Sequence, residues 1–246
     1  MSEEPGPVAV GAGTPERVLV VAAHPDDVDF GAAGTVATWT AAGVAVSYCL
    51  CTDGDAGGFD PAVPRGEVPR VRRAEQRAAA AEVGVSDVVF LGHPDGDLEV
   101  TRALRRDLAR EIRRVRPQVV VAQAAERTYR SVYGDHPDHV AAGEATLRAV
   151  YPDARNPFAH PELLAGGLEA WTVPEVWVMA FEAGDRFVDV TDAFPRKLAA
   201  LRAHVSQTAH MTDLEPRMRE WLGSVGRRAG LPEGRLAEGF RVVRTV

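Results

Sequence analysis

Arg17-Val-Leu-Val-Val-Ala-Ala-His-Pro-Asp-Asp27 is the stretch on which the fold turns. Its first half, Arg17 to Ala22, is a continuous β-branched run, as expected of a strand buried on both faces. Its second half changes at once to imidazole and carboxylate. His24 precedes a proline, which biases it to an extended backbone, and Pro25 is suited to opening a helical turn. A strand that delivers polar chemistry straight into a helix belongs to an α/β architecture.

The rest of the chain repeats that rhythm. Helical stretches are predicted over Ala32–Ala42, stopped by Gly43, and over Val71–Val83, ended at Gly84. Three more are predicted over Thr101–Val115, His139–Val150 and Pro195–His204. Strands are predicted over Val44–Cys51, Asp87–Leu91, Gln118–Ala122, Glu175–Phe181 and Arg186–Val190. The alternation implies one Rossmann-like α/β domain over residues 17–246, with a mainly parallel sheet flanked by helices. Ligands in such sheets sit beyond the carboxyl ends of the strands, and the metal site is expected there. The Gly/Pro/Asp-rich loop Thr52–Pro69 is long for a connection and is a candidate functional loop.

Charge and composition exclude several classes. With 28 Lys and Arg against 35 Asp and Glu the net charge is −7, which argues against a partner such as duplex nucleic acid. A hydrophobic content of 46% in 246 residues fills a core without disulfide or metal staples. Cys49 and Cys51 stand two apart on one strand, a poor disulfide geometry. They read as buried small hydrophobes in a reducing compartment rather than as a CxC metal pair. Met1–Glu16 lacks the basic and apolar regions of a signal peptide and reads as a disordered tail. The apolar run Val18–Ala23 falls far short of the roughly 20 residues of a membrane span, so a cytoplasmic protein without a membrane partner is expected.

Two segments carry the chemistry. Ala23-His24-Pro25-Asp26-Asp27 follows the first strand, and His136-Pro137-Asp138-His139 follows the fourth and opens a helix. Imidazole nitrogen and carboxylate oxygen are ligands that zinc accepts, and a catalytic zinc takes three protein ligands and a water. His24, Asp27 and one of the two later histidines make such a set. Asp26 and Asp27 are neighbours, so one ligates while the other faces the water as a general base. His136 and His139 approach one face of a helical start. One of them ligates while the other, oriented by Asp138, faces the substrate. Either segment alone reads equally well as an N-cap or surface turn; two at one sheet edge argue against coincidence. A Mg²⁺ phosphohydrolase site would be all oxygen and would leave the histidines without a role.

The paired motifs resemble the PIG-L/LmbE zinc deacetylase family, whose members remove N-acetyl groups from N-acetylglucosamine-containing molecules or cleave related amides. The resemblance runs from about Arg17 to Val150 and takes in Thr52-Asp-Gly54, Arg73-x-Glu75 and Pro94-Asp-Gly96. A weaker echo lies in Lys197…His204-Val-Ser-Gln207. The resemblance implies that His24, Asp27 and His139 hold Zn²⁺, with Fe²⁺ suited to the same set. It implies Asp26 as general base, His136 acting at the tetrahedral centre with Asp138 holding its ring, and Arg73 and Asp95 near the sugar. The sequence departs from the family at Val28, where Glu is usual, and at Gly31-Ala-Ala-Gly34, where Gly-Gly-Thr is commoner. The function expected is hydrolysis of the N-acetyl or related amide of an amino sugar or glycoconjugate. The alternatives are a metal-stabilised carbohydrate-binding protein without hydrolysis, or an amidase for a larger conjugate. A purely structural metal would need no spare base such as Asp26.

Other residues receive lesser parts. His93 follows the third strand, where it would line the cleft. His160, His204 and His210 read as structural or solvated. Tyr129, Arg130 and Tyr133 belong to a loop that either overhangs the cleft or is solvated. Trp39 and Trp177 read as core, and Trp171 and Trp221 as packing rather than sugar platforms. Gly31-x-x-Gly34 lacks the dinucleotide pattern.

Overall fold

The computed structural model describes residues 14–58, 60, 62–127, 129, 135–180 and 183–246. Residues 1–13 of the expected tail lie outside them, as do Arg130 and Tyr133. The chain begins β1 (Arg17–Ala22), α1 (Asp27–Gly31), α2 (Ala33–Ala41), β2 (Ala45–Thr52), α3 (Val68–Glu82), β3 (Asp87–His93), α4 (Arg102–Val115), β4 (Val119–Ala122) and α5 (Pro137–Arg148). It continues with α6 (Pro161–Ala165), β5 (Glu175–Met179), β6 (Arg186–Asp189), α7 (Phe194–Ala203), α8 (Val205–Thr208), α9 (Leu214–Arg228) and β7 (Ala237–Arg244).

The seven strands form one sheet in the order β3-β2-β1-β4-β5-β7-β6. β1 pairs in parallel with β2 and β4, β2 with β3, and β4 with β5. The chain thus winds outward from β1 to β3, then returns to place β4 on the other side of β1. Between β1 and β4 the winding reverses, and the crevice such a reversal opens is where α/β sheets bind ligands. The two histidine segments follow these two strands.

β1 is buried throughout, from Val18 to Ala22, as its unbroken apolar run requires. Its alternate side chains feed two cores. Val18, Val20 and Ala22 join Val36, Tyr48, Ala79, Phe194 and Leu201 on one face. Leu19 and Val21 join Cys49, Cys51, Leu104, Leu108, Ile112 and Ala145 on the other. α2, α3 and α7 therefore cover one side, and α4 and α5 the opposite one. Both cysteines are free and buried, and Trp39 and Trp177 pack in the first core with ring centroids 5.1 Å apart. Trp171 and Trp221 pack against the two cores, the first donating from Nε1 to the Pro117 carbonyl. No helix among the described residues is long and apolar enough to cross a membrane.

Two features differ from the sequence expectation. The helix expected from Ala32 starts five residues earlier and breaks at Ala32, whose φ of −142° leaves helical space. Pro25 accordingly lies before the helix, and Asp26 is its N-cap. The expectation also lacked the short helices α6 and α8, the helix α9 and the strand β7. β7 enters the sheet antiparallel to both β5 and β6. Its sequence, Ala-Glu-Gly-Phe-Arg-Val-Val-Arg, mixes a glycine with charges and shows no clean strand periodicity.

Candidate active site

β1 ends in the core, and the chain emerges at His24, held by the turn that follows. The His24 N–H donates to Asp27 Oδ2 at 2.8 Å, and the Asp29 N–H donates to the Asp26 carbonyl at 2.8 Å. Asp26 is the pivot of this turn, with φ +93°, in the left-handed region. Aspartate enters that region more readily than most side chains, yet the conformation is strained and persists only where its surroundings enforce it. Here the Asp26 N–H donates to Gln76 Oε1 at 2.8 Å.

On the β4 side, His136 is the N-cap of α5, its Nδ1 accepting the Asp138 N–H at 3.2 Å. Pro137 supplies the first helical position, where its missing N–H costs nothing. His139 then sits on the first turn. The His136 and His139 rings lie 5.2 Å apart, and both come within 5.0–5.3 Å of the His24 ring.

Asp27 joins the two segments. Its Oδ2 lies 3.3 Å from His24 Nδ1 and its Oδ1 lies 3.0 Å from His139 Nε2. The opposite nitrogen of His24, Nε2, faces Asp138 Oδ2 at 3.0 Å and Asp95 Oδ1 at 3.1 Å. The ligand atoms of His24, His136 and His139 lie within 4.8 Å of one another, and so do those of His24, Asp95 and Asp138. The described residues thus hold a His/Asp cluster able to bind a metal ion, at the carboxyl edge of the sheet.

The charges of this cluster shift one another in opposite directions. Burial disfavours a charged His24, but Asp27, Asp138 and Asp95 outweigh it and push the imidazole up to about 12. Burial raises Asp27, and His139 and His24 overturn that, holding it well below the usual carboxylate range. Burial lifts Asp26 to about 6 against the pull of Arg72. His136 is pushed down by burial and by the two neighbouring imidazoles.

Two roles expected of site residues differ in geometry, those of Asp138 and Arg73. The Asp138 carboxylate does not hold the His136 ring. Its oxygens take His24 Nε2 and the N–H groups of Gly96 and Leu98, and only its backbone N–H meets His136. The fixed direction of an N-cap explains this: the cap accepts backbone donors, while the Asp138 side chain is free to turn toward β1. Arg73 pairs with Asp53 and lies over the Phe90 ring, on the outer side of α3. Its neighbour Arg72, not singled out from sequence, turns inward and donates to Asp26 Oδ2 at 3.1 Å and to the carbonyls of Pro25 and Gly54. Asp95 meets His24 Nε2 and accepts the Ala56 N–H, which ties the Thr52–Pro69 loop to the cluster.

A signal for Arg72 was present in the sequence. Arg72, Gln76, Ala79 and Ala80 are the buried stripe of α3, and an arginine within such a stripe needs a buried acceptor. His93 faces Asp107 on α4 at 3.3 Å, and His160 faces Asp153 at 3.5 Å. His204 is fully buried against Asp29. Tyr129 is exposed.

Comparison with known proteins follows the same outline. The PIG-L family model, described as GlcNAc-PI de-N-acetylase, matches residues 19–150, more than half of the chain. Diacetylchitobiose deacetylase of Thermococcus kodakarensis is 32% identical over 229 residues, covering 93% of this chain and 83% of its own. The 1D-myo-inositol 2-acetamido-2-deoxy-alpha-D-glucopyranoside deacetylase 1 of Saccharopolyspora erythraea is 33% identical over 244 residues, covering 78% of each chain. The solved N,N'-diacetylchitobiose deacetylase from Pyrococcus horikoshii superposes with a TM-score of 0.85 at 30% identity, covering 94% of this chain and 84% of that one.

Proposed function

Because the chain belongs to the PIG-L family, a family of hydrolases whose named relatives here are deacetylases, we propose that it hydrolyses the N-acetyl group of an amino sugar or glycoconjugate. The observation that carries the reading is the Asp27 carboxylate spanning His24 and His139, with a second carboxylate, Asp26, partly buried beside it. His24, Asp27 and His139 would hold the metal. Two imidazoles and a carboxylate are the donor set of a catalytic zinc with a position left over, and Fe²⁺ suits the same set. The contacts of His24 fit that use: one nitrogen faces Asp27 while the other donates to carboxylates that fix the ring, as metal-binding histidines require. A divalent ion held there would supply Lewis-acid polarisation of the acyl carbonyl and a lowered pKa for the attacking water.

The chain's own groups do the rest. Arg72 occupies Asp26 Oδ2, which leaves Oδ1 to take the proton of the attacking water. His136 accepts a helix N–H on Nδ1, so its neutral ring carries its proton on Nε2. That N–H is the donor for the developing oxyanion. Asp138 and Asp95 hold His24 in place. The two free buried thiols fit a reducing, cytoplasmic setting.

The test is amine release from a panel of N-acetylated sugars and larger amide conjugates by the metal-loaded protein, with metal analysis alongside. About one ion per chain is expected, retained less well by His24→Ala, Asp27→Ala and His139→Ala. Asp26→Asn should keep the ion and lose about 10²–10⁴-fold in turnover. Full metal retention in all three ligand variants, or no amine released from any conjugate, would overturn the reading.

A further inference from the structure

Asp26 is held from a distance. Its N–H is caught by Gln76 Oε1, and the Gln76 amide has only one workable orientation. Gln76 Nε2 donates to Asp29 Oδ2 at 2.8 Å. Turning the amide over would set its oxygen against the Asp29 carboxylate and its NH₂ against the Asp26 N–H, two like-facing contacts at once. The same Asp29 Oδ2 receives His204 Nε2 at 2.8 Å. Gln76, Asp29 and His204 are each 0% exposed, so no water substitutes for these partners. His204 lies at the end of α7, beyond residues 19–150 matched by the family model.

A simple tether between α1 and α7 would not require this arrangement. Lys197, the only lysine of the chain, already ties the two together. Its Nζ donates to the carbonyls of Asp29 and Phe30 and to Glu238, which in turn accepts the N–H groups of Gly34 and Thr35. Lys197 grips the backbone of α1; His204 grips a side chain whose other contact is Gln76.

We propose that His204 and Gln76 are positioning residues for Asp26: His204 fixes Asp29, Asp29 fixes the Gln76 amide, and Gln76 holds Asp26 in its left-handed turn. The proposal rests on the reading of Asp26 as the base. It gives the C-terminal part of the chain a share in the active site through one line of hydrogen bonds.

The experiment compares Gln76→Met, His204→Ala, their double variant and His204→Gln, all metal-loaded, with N,N'-diacetylchitobiose as probe. Gln76→Met should lower kcat about 10–100-fold with little change in KM, because small misplacements of a reacting group carry penalties of that order. Metal content should stay at the parent's level. His204→Ala should fall in the same direction, and the double variant should be no slower than Gln76→Met, since one residue acts through the other. His204→Gln, which keeps a donor near Asp29, should recover most of the loss. A crystal structure of Gln76→Met should show Asp26 out of the left-handed region, whatever the activity. Multiplying losses in the double variant, or an unchanged kcat in Gln76→Met, would overturn the proposal even if His204→Ala does not fold. Asp26→Asn run alongside separates the two failures. Full turnover in that variant removes the base itself; an inactive Asp26→Asn beside a fully active Gln76→Met removes only the positioning.

Discussion

Arg72 is buried, only 4% exposed, and pairs with the partly buried carboxylate of Asp26. Removing the arginine leaves that carboxylate and the carbonyls of Pro25 and Gly54 without their donor, a loss approaching the roughly 3–5 kcal/mol of a fully buried pair. Arg72→Met should therefore lower unfolding free energy in urea by that order, whereas Arg73→Met, on the half-exposed outer face of α3, should cost far less. His136 makes the complementary case. Losing a single oxyanion donor typically costs about 10²–10³ in kcat. His136→Ala should show that loss with metal content and KM near the parent values. Because it also removes a helix cap, a small drop in stability should accompany it, about 1 kcal/mol. Unchanged kcat across all cleaved amides would reduce His136 to that capping role.

The position of α5 decides where His136 and His139 meet β1. Gly143 lies where the helix crosses the chain leaving β4. A Cβ there would meet the Gln123 carbonyl oxygen at 2.5 Å and the Ala124 carbonyl carbon at 2.9 Å. These are backbone atoms with nowhere to move, so the missing side chain is what allows the close approach. Gly143→Ala should push α5 outward, lowering stability by about 1–3 kcal/mol. It should also weaken metal retention through His139 although it touches no ligand. Thermal unfolding with and without metal would read both effects. Equal stability and equal metal affinity in the variant would show that the helix has room to spare.

Across the whole molecule, His204 and Asp29 link segments 175 residues apart. Burial opposes a charged His204, but the hydrogen bond and charge of Asp29 outweigh it and raise the imidazole above its ordinary value. A raised folded-state value means that the pair stabilises most at low pH. Its contribution is complete below the unfolded imidazole's value of about 6.5 and fades as pH rises through the higher folded value. The difference in Tm between the parent and His204→Gln should therefore shrink as pH is raised from about 6.5 upward. A difference that grows with pH would mean that the imidazole is neutral in the folded protein.

The sequence by itself determined the parts whose physics is local. The β-branched run before His24 reads as a doubly buried strand, and two imidazole–carboxylate segments after strands marked where chemistry would sit. The helix predicted at Val71–Val83 starts three residues late and ends one residue beyond α3, and that at Thr101–Val115 differs from α4 by its first residue alone, because helix formers and local stop signals set both. The tertiary structure decided everything that depends on which strand lies beside which. Placing β4 against β1 brings His139 to Asp27, across more than a hundred residues of chain. The turn of about 100° between successive helix residues sends Arg72 to Asp26 and Arg73 to Asp53, a choice that adjacent letters cannot express. Asp138 turned to His24 instead of His136 because capping fixes the backbone and leaves the side chain to long-range partners. Gln76 sits in the helical stripe of α3 and His204 in a weak family echo, but neither says that they meet at Asp29; only burial together, away from water, brings these three polar residues to one turn.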